Sequence, residues 1–171
     1  MRLKTLLYTL CILILLLLQS TLLNYAKIYD IKPNLLIVFV ICVALLRGYI
    51  EGGVVGFFVG LSLDMLFGKF LGFYALLGLY LGIAVGSVNR RLYRENFIVV
   101  ILFTFIATIV FEALVYILSS FMNGNMDLLF PMTRVILPEA LYNSGVSIII
   151  YAMVIKMDYS FEESSKTARK Y

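Results

Sequence analysis

Residues 97–121 read FIVVILFTFIATIVFEALVYILSSF, twenty-five positions with one charged side chain, Glu112. A helix needs about 20 mostly apolar residues to cross a hydrocarbon layer of about 30 Å. Lipid offers the backbone no hydrogen-bond partner, so a run of this length closes its own N–H and C=O groups as a membrane-spanning α-helix. Five further apolar segments flank it, at residues 5–23, 33–46, 48–63, 70–88 and 138–155. Turn and breaker residues separate them, at 30–33, Arg47-Gly48, Gly68-Lys69, 89–96 and 123–131. The fold class is all-α, a polytopic membrane bundle of about six transmembrane helices. Segments 33–46 and 48–63 are short, and each either spans as a short helix inside the bundle or joins the other as a re-entrant pair.

Composition agrees. Hydrophobic residues make up 63% of the chain and charged residues 14%, with a mean hydropathy of +1.01. Soluble domains run at roughly 45–50% apolar and about 25% charged. A water-soluble core of 171 residues could not hide this surplus. The net charge of +4 would point to nucleic acid in a soluble protein, but here Lys and Arg stand at the ends of apolar runs, where they set topology. With six passes and a cytoplasmic N-terminus, Arg2, Lys4, Arg47, Arg90, Arg91, Arg94, Lys156, Lys166, Arg169 and Lys170 fall inside. Only Lys27, Lys32, Lys69 and Arg134 fall outside, so both termini are expected in the cytoplasm. Residues 1–157 then form the bundle and 158–171 a polar cytoplasmic tail, loosely ordered at the membrane surface, with no soluble domain after it. The basic start Met1-Arg2-Leu3-Lys4 looks like that of a signal peptide. Its apolar run is longer than the usual stretch of about 7–15 residues and no small-x-small site follows, so it reads as a retained first helix.

Several chemistries lack their parts. His is absent, and Cys11 and Cys42 both lie inside apolar segments, which removes histidine-based metal sites, Cys/His dyads and CxxC redox chemistry. No nucleophile, base and oxyanion set can be assembled, so no enzyme, cofactor or metal site is expected.

What the segments do carry is periodic. Gly48, Gly52, Gly56 and Gly60 recur every fourth residue, followed by Gly68 and Gly72, and then by Gly78, Gly82 and Gly86. Steps of four return to nearly the same helix face and strip it of bulk, for close helix packing or as space for a ligand. The fifth segment carries Thr104, Thr108, Glu112, Tyr116 and Ser120 at the same interval, and the sixth answers with Glu139, Asn143, Ser147 and Tyr151. Antiparallel packing would set Glu112 level with Ser147 or Asn143. These stripes are interhelical hydrogen-bond glue or the lining of a pathway, since a carboxylate at that depth must face protein or water. Asp64 ends the third segment as an interfacial charge or the shaper of a corner. Lys32-Pro33-Asn34 and Pro138-Glu139 read as helix starts, with Pro in the first turn and Glu139 favoured by the helix dipole.

Four stretches carry a family resemblance: Lys32-Pro33-Asn34-Leu35-Leu36, residues 56–64 (GFFVGLSLD), residues 71–76 (LGFYAL) and residues 138–143 (PEALYN). In order and spacing along nearly the whole chain they resemble the bacterial rod shape-determining protein MreD family, which often carries Asp where this chain has Asn34. The resemblance implies a non-enzymatic inner-membrane component of the cell-elongation machinery. Its partner would be the bitopic protein MreC and, indirectly, the MreB filament and peptidoglycan synthases along the cell wall. The family's six-helix layout also resembles the substrate-binding membrane subunits of energy-coupling-factor vitamin transporters, which keeps a small-molecule carrier as the alternative. Tyr116, Tyr142, Tyr151 and Glu112 could line a pocket for it.

Overall fold

A computed structural model describes residues 2–21, 31–67, 71–88, 96–123 and 132–168, with the backbone alone at 2–4, 67 and 160–168. Its described residues form six α-helices and one π-helical turn. They are α1 (Arg2–Ser20), α2 (Leu35–Arg47), α3 (Tyr49–Phe67), α4 (Phe73–Gly86), α5 (Phe97–Asn123) and α6 (Leu137–Ala168), the π turn Met132–Ile136 running straight into α6. Among the described residues three stretches are long and apolar enough to cross a membrane: Tyr49–Leu66, Phe97–Phe121 and Met132–Tyr159. The apolar parts of the other three are shorter, Thr5–Ser20, Leu35–Arg47 and Phe73–Gly86.

The architecture turns on α2. Every residue from Leu35 to Leu45 is buried, and Leu36 through Ala44 have no exposed surface. Amphipathic patterning is therefore absent from it, because all faces meet protein. On one side α1 leans in through Tyr8, Ile12, Leu15 and Gln19, a stripe at steps of four, three and four, while Leu6, Leu10, Leu13 and Leu17 face outward. On another side lie α5 and α6, an antiparallel pair in which Thr108 meets Asn143 and the Phe97 ring stands edge-on to Tyr151.

The third wall is the α3–α4 hairpin. A methyl group built on Gly56 would lie 2.7 Å from the carbonyl carbon of Gly78, and one on Gly60 would lie 2.6 Å from the Cα of Ala75. One on Gly52 would stand 2.9 Å from the carbonyl oxygen of Gly82 and 2.6 Å from Cβ of Ala44 on α2. The two helices thus meet backbone to backbone, antiparallel, at each step of four. Gly48, with φ 86°, is the single-residue joint between α2 and α3, and Gly86 closes over it. Gly72 departs from the expected stripe: it sits at φ 101° ahead of α4 with open space around it, a turn residue and not a packing one.

Other boundaries also differ. Pro33 stands outside α2, whose N-cap is Asn34. Pro138 follows a π turn that opens the helix where its missing N–H would break an α-helical ladder. Residues 158–168, whose lack of periodicity predicts no helix, continue α6. Lys27, Gly68, Lys69, Arg90, Arg91, Arg94, Arg169, Lys170 and most of the turns at 89–96 and 123–131 lie outside the described residues.

Candidate functional site

A helix leaves its first N–H groups without intrahelical partners, and inside a membrane bundle no bulk water is at hand to satisfy them. The buried start of α2 meets this demand with side chains. Asn34 accepts from the Ile37 N–H at 3.3 Å as the N-cap, the Gln19 side chain accepts from the Leu36 N–H at 3.3 Å, and Asn143 accepts from the Asn34 N–H at 2.8 Å. Gln19 also donates through Nε2 to the Asn34 side-chain oxygen at 3.3 Å, and Asn143 donates through Nδ2 to Thr108 at 3.4 Å. One network therefore joins α1, α2, α5 and α6 at one end of the bundle.

Glu112 enters it through Asn34. With the Asn34 oxygen taken by Ile37 and Gln19, the amide nitrogen is left to donate to the Glu112 carboxylate. The antiparallel register sets Glu112 level with Glu139, one turn beyond Asn143 and two beyond Ser147. The expected level with Asn143 or Ser147 is thus one to two turns off, and Glu112 bonds Asn34, while Asn143 is committed to Thr108 and to α2. Lys32 lies within electrostatic reach of Glu139, and Tyr74 of α4 within reach of Glu112, Glu139 and Asp64. Glu112 and Glu139 are half-buried, and Tyr116, one turn further along α5, is half-buried as well.

Asp64 performs a separate task. Its buried carboxylate, 4% exposed, accepts from the backbone N–H groups of Gly72 at 2.9 Å, Tyr74 at 2.9 Å and Ala75 at 3.0 Å. A side chain from the end of α3 so caps the start of α4, and a negative charge there also suits the helix dipole. With Gly56 and Gly60 against α4 and Gly52, Gly78 and Gly82 at the same seam, it locks the hairpin at its turn.

The opposite end holds Arg47, counted from sequence as a topology signal, and Asp158, counted as tail, among groups with no assigned role. Arg47, the last residue of α2, pairs with Asp158 of α6 and lies 4.0 Å from Glu51 of α3. The Tyr8 hydroxyl of α1 donates to Glu51 at 3.2 Å, and Cys11 meets the sulfur of Met157 at 3.5 Å. Tyr8, Gln19, Glu51 and Asp158 were the residues missed. Gln19 had a signal, as a lone amide near the end of an apolar run. Asp158 had none, since its partner is 111 residues away in sequence.

Among the described residues no group of three or more His, Cys, Asp or Glu could hold a metal ion. The polar clusters of the described residues bind helix to helix. Comparison with known sequences finds one family whose model, described as rod shape-determining protein MreD, matches residues 1–159. No curated protein and no solved structure matches the chain significantly.

Proposed function

Because the chain belongs to the rod shape-determining protein MreD family, we propose that this membrane protein is a non-enzymatic scaffold of the bacterial cell-elongation machinery, binding MreC in the inner membrane and supporting peptidoglycan synthesis. MreB filaments and the synthases are reached through MreC. One observation supports a scaffold over a carrier: Gln19, Asn34, Thr108, Asn143 and Asp64 direct donors and acceptors to neighbouring helices. A carrier aims such groups into a cavity for its cargo. Both termini are assigned to the cytoplasm. The positive charges favour that side, and Tyr8 near the start of α1 and Asp158 late in α6 gather around the same Arg47–Glu51 end.

The test is affinity purification of the full chain from mild detergent after co-expression with a bitopic MreC, followed by identification of everything retained. Stoichiometric recovery of MreC is expected. Recovery without MreC but with an ATPase module and a vitamin-like compound would overturn the scaffold and establish the carrier.

A further inference from the structure

The apolar part of the last helical stretch ends at Tyr159, yet α6 runs on to Ala168. The residues beyond, SFEESSKTA at 160–168, carry no apolar stripe and span about 13 Å as helix. Isolated helices shorter than about 12–15 residues are marginal in water, because nucleation costs more than a short run of hydrogen bonds returns. The arm therefore has to propagate from a turn that is already fixed, and its first N–H groups reach back to carbonyls around residue 158. Asp158 is 6% exposed and paired with Arg47. Arg47 is itself braced by Glu51, and Glu51 by Tyr8, so the turn from which the arm starts is tied to α1, α2 and α3 together.

We propose that the Arg47–Asp158 ion pair is the anchor that fixes the last docked turn of α6, from which residues 160–168 propagate as helix, so the arm outside the membrane is ordered only when α6 has docked against the assembled α1–α3 core. The device links a completed bundle to the shape of a segment beyond it. It does not depend on the identity of any partner.

Hydrogen–deuterium exchange of the full chain in lipid nanodiscs tests this. In the wild type, amides of residues 160–168 exchange more slowly than an unstructured chain. In Asp158→Asn, which keeps the side-chain shape and removes the charge, their exchange rises at least about tenfold while residues 140–155 stay protected. Arg47→Gln, which removes the other partner, raises it likewise, and Arg47→Lys, which keeps a cation facing both Glu51 and Asp158, retains most of the slow rate. An arm at the unstructured rate in the wild type, an unchanged arm in Asp158→Asn or Arg47→Gln, or an arm in Arg47→Lys as fast as in Arg47→Gln each overturns the proposal. Where Asp158→Asn does not accumulate, Arg47→Gln decides: a protected bundle with a rapidly exchanging arm supports the anchor, and a protected bundle with a protected arm refutes it.

Discussion

Replacing Gly56 and Gly145 by Ala, one at a time, gives substitutions of the same chemistry with opposite expected signs. In an exposed or open helical position Gly→Ala gains about 0.5–1 kcal/mol from reduced backbone freedom in the unfolded chain. Gly145 on α6 has nothing within 4 Å of the new methyl group, so Gly145→Ala should show that gain and raise the melting temperature. At Gly56 the methyl would lie 2.7 Å from the carbonyl carbon of Gly78 and 3.2 Å from a methyl of Val40. Carbon atoms pack at about 3.5–4 Å, so α3 and α4 must part by roughly 1 Å. The obstacle is backbone and has no rotamer to change, which places the cost at or above the upper end of the usual overpacking range of about 1–3 kcal/mol. Net destabilisation of about 2 kcal/mol or more remains after the propensity gain. Cys42, fully buried in α2, supplies the readout: a thiol-reactive fluorophore in detergent labels it as the bundle opens, above a background from half-buried Cys11. Gly56→Ala melting at or above the wild-type temperature would refute the backbone seam. A loss at Gly145→Ala equal to that at Gly56→Ala would refute the argument from local space.

The other expectations follow from the polar groups. Glu112→Gln keeps a side chain able to bond the Asn34 amide, so rod shape should be rescued fully in cells lacking the native protein, and Glu112→Leu only partly at comparable membrane levels. Normal levels with no rescue by Gln would instead give the carboxylate a chemical task. Asp64→Asn leaves one of three buried N–H groups facing an amide NH2 and should cost about 1–3 kcal/mol in the same melting assay, with Asp64→Ala costing more. Equal stability of all three proteins would remove the capping role. Cysteine labels or reporter fusions placed after Arg91 and after Tyr171 should both read cytoplasmic, and an external reading at Arg91 would overturn the topology.

What was legible in the sequence was whatever depends on neighbours along the chain. The apolar length of residues 97–121 and the four-residue glycine steps report directly on a single helix, and both appear in the bundle as α5 and as the α3–α4 seam. Partners across helices were not legible. Glu112 bonds Asn34 and not Asn143 because the α5–α6 register is set by Thr108 and by the needs of the α2 terminus, which no local pattern encodes. Residues 158–168 looked unfit for a helix on composition, and they extend one because they follow a helix already held at Asp158 by Arg47. Gly72 and Gly60 look alike in the periodic run, but only the backbone dihedral separates a turn from a seam.

The complete enclosure of α2 bears on how the chain is made. A thirteen-residue helix is about 20 Å long, shorter than the hydrocarbon layer it occupies. Released alone from the insertion machinery it would meet acyl chains on every side, with its N-terminal amide groups and Arg47 still seeking partners. Its ligands arrive from both directions in the order of synthesis: Gln19 is already in place, Glu51 follows within four residues, and Asn143 and Asp158 come last. The helix at the centre of the finished protein is thus one of the first to be translated and the last to be fully enclosed. Until α6 is threaded, the core is unfinished, because Asn143 and Asp158 have not yet met the two ends of α2.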